Sequence, residues 1–326
     1  MLESNYKKLQ AQVLAQHFDA NDTAFLEREL TFVRAHVIET AYLPALARGF
    51  VPKATDIPDS ADTYVYKTLN VVGKAKMITY ESKDLPRVDV DGLEVLGKVH
   101  PLGASWGFTI NELKESARLK TNLAEAKPRA ARDVVERGID NILAFGSIPD
   151  EAGLLPDVLL QGLVNNPAVV TLGITSMPWW LNPTPMDPNL VLKSIADFAT
   201  KISTRSSDTW QADTLLMPTL HYNFLQQTSY STLTGETLLT IFKRNNPNLT
   251  TIAPWFKLNT AGAGGLPRMI AYKKDASILE GVIPQEFEVV APQYSALEIL
   301  YNCHARCGGV KIYQPLAVVY GDFLIA

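Results

Sequence analysis

Residues 62–107 set the tightest limit on what this chain can fold into, because their hydropathy repeats with the period of a strand. Val65, Lys67, Leu69 and Val71 alternate against Tyr64, Tyr66, Thr68 and Asn70. A second alternating run, Val88 to Val95, surrounds the pair Asp91-Gly92. That pair suits a type I′ turn, whose two central residues both need φ > 0. The segment is therefore predicted to be a long antiparallel excursion with a charged tip that includes Asp84, Arg87, Asp89 and Asp91.

The flanks have a different texture. Leu2, Tyr6, Leu9 and Val13 recur at helical spacing, as do Leu26, Leu30, Val33, Val37 and Ala41 after a break at Asp19–Thr23. Pro44, Pro52 and Pro58 then punctuate an extended stretch, so residues 1–61 read as an arm that must bury its stripes elsewhere. A strong amphipathic helix is expected at about 123–145. Val135, Ile139, Ile142 and Leu143 line one face and Arg129, Arg132, Asp133, Glu136, Arg137 and Asp140 the other. Pro128 either starts its regular part or kinks its early turns, and Gly146 ends it. From 175 the pattern is mixed α/β. Asp187 and Pro188 open a helix carrying Val191, Ile195, Phe198 and Ile202. Strand-like runs lie at 213–217, 249–258 and 268–273, a short helix at 235–244, and the tail 286–323 is nearly all strand-like. The expected class is α+β, divided as an arm (1–61), an extended β-hairpin (62–107), a domain built on the long helix (108–174), a mixed domain (175–285) and return strands (286–326).

Composition narrows the role. The chain is 47% hydrophobic and only 20% charged, below the usual ~25% charged. That argues against disorder and points to a folded surface covered by other subunits. With 30 basic and 34 acidic residues, no electrostatic footprint for sequence-specific nucleic-acid binding is present. Apolar runs such as Val169–Ile174 fall far short of the ~20 residues that span a bilayer. The first residues lack a signal-peptide core, and two cysteines make no disulfide scaffold. The expectation is a soluble chain, intracellular and reduced when made.

Catalytic motifs do not survive inspection. Gly103-Ala104-Ser105-Trp106-Gly107 matches the G-x-S-x-G elbow, with His221 and His304 downstream. Yet the elbow's helix should begin at the serine, and Phe108–Asn111 intervenes. Gly92–Val99 resembles a P-loop but has Val99 where a hydroxyl must hold Mg²⁺, and reads as a hairpin strand. In Cys303-His304-Ala305-Arg306-Cys307 the flanks alternate, so a strand would turn His304 away from both thiols. The thiol-bearing residues would stand ~13 Å apart, too far for a disulfide, so both are read as buried core residues. His17, His36 and His100 stand alone, Ala261–Gly265 reads as a flexible loop, and Trp179-Trp180 as a packed loop anchor. Asn248-Leu249-Thr250 is a glycosylation sequon without meaning in a chain that is not secreted. No catalytic residue, cofactor or metal is expected.

The order of segments, with several short stretches, carries a resemblance. Phe25–Arg34 resembles an arm helix, Asp84–Val90 an extended-loop segment, Leu102–Phe108 the return into a spine helix, and Cys307–Val310 the last strands. Together they resemble a family of major capsid proteins of tailed bacteriophages with the Hong Kong 97-like fold, a family formerly a domain of unknown function. The similarity covers about residues 22–326. It implies N-arm, extended loop, peripheral domain and axial domain. It also implies self-assembly into hexamers and pentamers of an icosahedral head enclosing double-stranded DNA. Partners would be copies of the chain, a portal, and scaffold or decoration proteins, with non-specific DNA contact and no membrane. Assembly would take place in the host cytoplasm and the product would reside in the virion. No long scaffolding or protease-removed prefix is expected.

Two rivals are weighed against it: an encapsulin-type nanocompartment shell of the same fold, and a serine hydrolase built on Gly103, Ser105 and Gly107. The capsid reading makes Asp84, Arg87, Asp89 and Asp91 candidate inter-subunit contacts. Deleting residues 84–92 should then abolish closed shells on electron microscopy while leaving soluble subunits; normal shells from the deletion would sink the reading.

Overall fold

The computed structural model describes residues 44–77, 86–119, 123–148, 160–174, 187–230 and 235–323. The arm stripes, Trp179-Trp180 and Asp84 lie outside the described residues. One compact unit comprises Leu43–Gly107 and Lys127–Ala326; Phe108–Ala126 belongs to another.

A short helix α1 (Ala47–Phe50) leads to β1 (Thr63–Val72), β2 (Asp89–Lys98) and β3 (His100–Thr109). Helix α2 (Ile110–Leu119) follows, then the long α3 (Leu123–Phe145). Helix α2 is not among the helices expected from periodicity, although its start is written in Thr109-x-x-Glu112. Thr109 Oγ1 accepts from Glu112 N at 3.2 Å and Glu112 Oε2 accepts from Thr109 N at 3.1 Å, a capping box. Helix α3 begins five residues before Pro128 and runs through it, so a start at Pro128 is excluded. The proline removes one backbone donor, and the rest of the helix is held by the buried stripe Val135, Ile139, Ile142 and Leu143. Gly146 closes it at φ +72°, where a Cβ would come within 1.9 Å of the Leu160 carbonyl oxygen.

The remaining elements are β4 (Thr171–Ile174), α4 (Pro188–Arg205), β5 (Thr214–Met217), α5 (Thr219–Gln227), α6 (Leu238–Asn245), β6 (Thr251–Pro254), β7 (Arg268–Tyr272), β8 (Leu279–Val282), β9 (Gln285–Val289), β10 (Gln293–Ser295), β11 (Glu298–Cys307), β12 (Gly309–Ile312) and β13 (Val318–Phe323). Helix α4 starts as expected: Asp187 accepts from Asn189 N at 2.9 Å and Pro188 fills the first turn.

A five-stranded sheet, ordered β4-β13-β7-β5-β6, is the wall of the molecule. Alternate residues point to opposite sides. Leu216, Ile270, Tyr272, Val318 and Tyr320 enter the core beneath α3. Leu215, Met217, Met269, Ala271, Val319 and Phe323 enter a second core under α4, α5 and α6. Because both faces are covered, strands β5, β7 and β13 are buried along their whole length and are mostly apolar. The strands of 286–326 divide between sheets: β9, β10 and β11 join β3, β12 pairs with β8, and β13 enters the wall between β4 and β7.

The wall holds one buried ion pair. Arg268 and Asp322 are cross-strand partners, with Nε–Oδ1 2.5 Å and Nη2–Oδ2 2.8 Å. Arg268 Nη1 also donates to the Val164 carbonyl at 2.6 Å, and Asp322 Oδ2 accepts from Ala263 N at 3.1 Å. The loop 261–265 is thereby tied to the wall, against the expectation of a flexible loop. Removing one partner from such a pair costs about 3–5 kcal/mol, because the other charge is left buried.

His221 of α5 is wholly buried and its ring stacks on Phe323 at 4.1 Å. Burial pushes its pKa down to about 4. Free imidazole titrates near 6.5, so between these values the unfolded chain takes up the proton. Stability is full above about pH 6.5 and is lost as pH falls toward 4, by roughly 3 kcal/mol at most. Unfolding midpoints measured from pH 7 to pH 4 should follow this course, and His221→Phe should flatten it.

Candidate assembly surface

Strands β1 and β2 form a two-stranded ribbon, paired from Thr63↔Lys98 to Val72↔Asp89. Ten residues at about 3.3 Å each make it roughly 33 Å long. Directly opposed residues share a face. One face carries Tyr64, Tyr66 and Thr68 with Gly97, Val95 and Leu93; the other carries Val65/Leu96, Lys67/Glu94, Leu69/Gly92 and Val71/Val90.

The tyrosine face is held by its own chain at the base. The Tyr64 ring lies over Gly97, where a Cβ would fall within 2.2 Å of it. Tyr66 meets Tyr313 edge-on at 4.9 Å, and Lys311 Nζ stands 5.7 Å from the centre of the Tyr64 ring. Burial pushes the Lys311 ammonium down and the Tyr64 and Tyr66 phenols up from their ordinary ranges. Arg306 of β11 clamps the entry, donating to the Asp59 carbonyl at 2.6 Å and pairing with Asp62.

No described residue covers the opposite face. Val65, Leu69, Val71, Val90 and Leu96 are 54–76% exposed. An apolar face turned to water inverts the usual arrangement of a half-buried sheet. Contiguous apolar exposure of this kind marks a surface that something else covers.

The expected Asp91-Gly92 turn is not there. Both residues lie inside β2, opposite Asn70 and Leu69, and the reversal falls between Val72 and Asp89. Gly92 has a cross-strand role instead: the Leu69 side chain lies over it, 3.3 Å from where a Cβ would stand. Of the four charged tip candidates, Arg87 is exposed just before β2, and Asp89 and Asp91 are exposed on the tyrosine face of the ribbon. Asp89 Oδ1 accepts from Val90 N at 2.9 Å. Asp84 lies outside the described residues.

The strand tip of β10 and β11 is a second exposed apolar point, with Tyr294 78% and Leu297 69% exposed. Its turn gave no sequence signal, because the residue at positive φ is Ala296 (φ +47°) and not glycine. The arm's exit is pinned at α1. Ala47 N donates to Asp140 Oδ1 at 2.7 Å, Tyr272 OH to the Phe50 carbonyl at 2.7 Å, and Glu286 binds both Arg48 at 2.7 Å and Lys53 at 2.5 Å. Although burial pulls the other way, those two cations hold the Glu286 carboxyl below its usual range.

The catalytic motifs fall in plain strand. Gly103, Ser105 and Gly107 all lie within β3, and the strand-to-helix junction comes after them, at Thr109. His221 is packed on Phe323. The P-loop-like run is β2. Cys303 and Cys307 are buried on one side of β11, Cys303 Sγ donating to the Ala104 carbonyl at 3.0 Å. His304 instead meets Gln285 at 2.8 Å. Among the described residues no group of His, Cys, Asp and Glu side chains is placed to hold a metal, and no helix is long and apolar enough to cross a membrane.

Comparison with known proteins identifies this architecture. A family model described as major capsid protein matches residues 73–324. The solved capsid of Myoviridae phage XM1 superposes with a TM-score of 0.76 at 18% identity, covering 91% of this chain and 98% of that one. A Mycobacterium phage Bobi structure (TM-score 0.60, 12% identity, 91% and 96% coverage) and a Gordonia phage Cozz structure (0.59, 11%, 91% and 91%) also match. No curated protein sequence is significantly similar.

Gly97→Ala should force the Tyr64 ring off its seat and loosen the ribbon base, at about 1–3 kcal/mol. Hydrogen exchange should then accelerate across residues 63–72 and 89–98 while the wall strands keep their protection.

Proposed function

This chain belongs to the major capsid protein family, a structural capsid subunit and not an enzyme, and on that premise we propose that its copies close into an icosahedral phage head of hexamers and pentamers around double-stranded DNA. The observation that carries the reading is the bare apolar face of the ribbon. A single chain gains nothing by holding Val65, Leu69, Val71, Val90 and Leu96 in water. A neighbouring copy laid across them buries each, at roughly 1.5–3 kcal/mol for full burial of such a side chain. Rings of one chain use heterologous contacts that close, and obligate interfaces run to thousands of Å² and are apolar. A reaching ribbon and arm supply such area where a compact domain would not.

On this reading residues 1–61 are the N-arm and 62–107 the extended loop. Residues 108–174 form the peripheral domain with its spine helix α3, 175–285 the axial domain, and 286–326 the return strands. Asp84, Arg87, Asp89 and Asp91 meet oppositely charged groups on the adjacent subunit. A portal, with scaffold or decoration proteins, completes the head in the host cytoplasm before it becomes the virion shell. DNA is contacted without sequence preference, since phosphate attraction needs clustered cations and this chain carries a net charge of −4. The rivals are not favoured. The family match is to a major capsid protein, and Ser105 sits within a strand.

Leu69→Asp/Val71→Asp should leave a folded subunit, with a melting temperature within a few degrees of wild type, that forms no shells on electron microscopy. Wild-type shells from this variant would overturn the proposal.

A further inference from the structure

The apolar face of the ribbon is interrupted once. Lys67 and Glu94 stand directly opposite each other, between the Val65/Leu96 pair toward the base and the Leu69/Gly92 pair toward the tip. Their Nζ–Oε1 distance is 2.7 Å, and the side chains are 67% and 62% exposed. In that state the pair adds little to the fold, because water screens both charges. Two apolar residues here would continue the stripe and suit a strand pair as well. The stability of the isolated ribbon therefore gives no reason for the pair, and what covers the face does.

Once a second copy lies on the face, water leaves and both charges are enclosed among Val65, Leu69 and Leu96. A buried charge is tolerated only where it finds partners, and is strongly disfavoured where it meets apolar surface. An all-apolar face has no such discrimination. Displacing it by two residues keeps the same side chains facing the neighbour and buries nearly the same area. One charged rung breaks that degeneracy by penalising the wrong alignments. We infer that the Lys67–Glu94 pair selects the single alignment of the ribbon on the neighbouring copy, and so sets the regularity of the shell rather than the strength of association. The inference rests on the reading that a second copy covers this face. Since the pair is neutral overall, the receiving surface must offer both signs close together. The exposed side of α3 does so on the same chain, with Arg132 and Asp133 beside the half-exposed Val134.

The test uses the full chain, with electron microscopy to score regular closed particles, sedimentation to measure assembled mass, and circular dichroism to check the fold. Lys67→Met/Glu94→Leu removes both charges at similar volume. It should assemble at least as much mass as wild type, but with regular shells reduced about tenfold in favour of irregular particles. Lys67→Glu/Glu94→Lys keeps the cross-strand pair and reverses it toward the neighbour; regular shells should fall by a similar factor while the subunit stays folded. A wild-type yield of regular shells from either variant would overturn the inference. Leu69→Asp/Val71→Asp separates this failure from that of the underlying reading. If it blocks assembly while the pair variants behave as wild type, only the selection role fails. If it too assembles normally, the covering of the face by a second copy fails as well.

Discussion

A sheet covered on both faces is the constraint around which the rest of this structure is arranged. Strands β5, β7 and β13 bury every residue, one set beneath α3 and the alternate set beneath α4, α5 and α6. Polar chemistry collects at the ends of those strands. Arg268 and Asp322 satisfy one end with two mutual bonds and two backbone partners. Asp140, near the far end of α3, takes the Ala47 N–H and the Lys257 ammonium, and thereby ties the start of the described chain to the core. Buried charges of this kind hold position because losing a partner costs more than the pair contributes.

The ribbon obeys the opposite rule. Its base is folded against Tyr313 and Lys311, but along most of its length no described residue of its own chain covers one face. Folding free energy is therefore concentrated in the wall and its two cores. Two antiparallel strands alone are marginal in water. The aromatic seat at Tyr64 over Gly97 and the Arg306 clamp on Asp62 account for how the ribbon keeps its direction.

Much of this is legible in local sequence pattern. The spine helix, the Asp187 cap, the buried thiols of Cys303 and Cys307 and the strand character of 63–72 all follow from period and capping, which are local. Misses have local causes too. Asp91-Gly92 is a strong turn signal by composition, but Gly92 serves Leu69 across the ribbon, so a cross-strand demand overrode a dipeptide preference. Helix α2 is legible in its capping box. Helix α5 had no such signal, since Pro218 precedes it without a side-chain cap. The turn at Ala296 uses a residue that rarely takes positive φ.

What the amino-acid order determined by itself is the kind of the strongly periodic elements and the division of the ribbon into an apolar and a tyrosine-bearing face. Period-two alternation settles that through geometry within one strand. Which of those faces is seated at the base was decided only by tertiary structure. Tyr64 and Tyr66 find Lys311 and Tyr313 more than 240 positions away, and no local pattern encodes a contact at that separation. Once that face is seated, pairing register leaves the other, with Val65, Leu69 and Val71, no partner within the described residues of the chain.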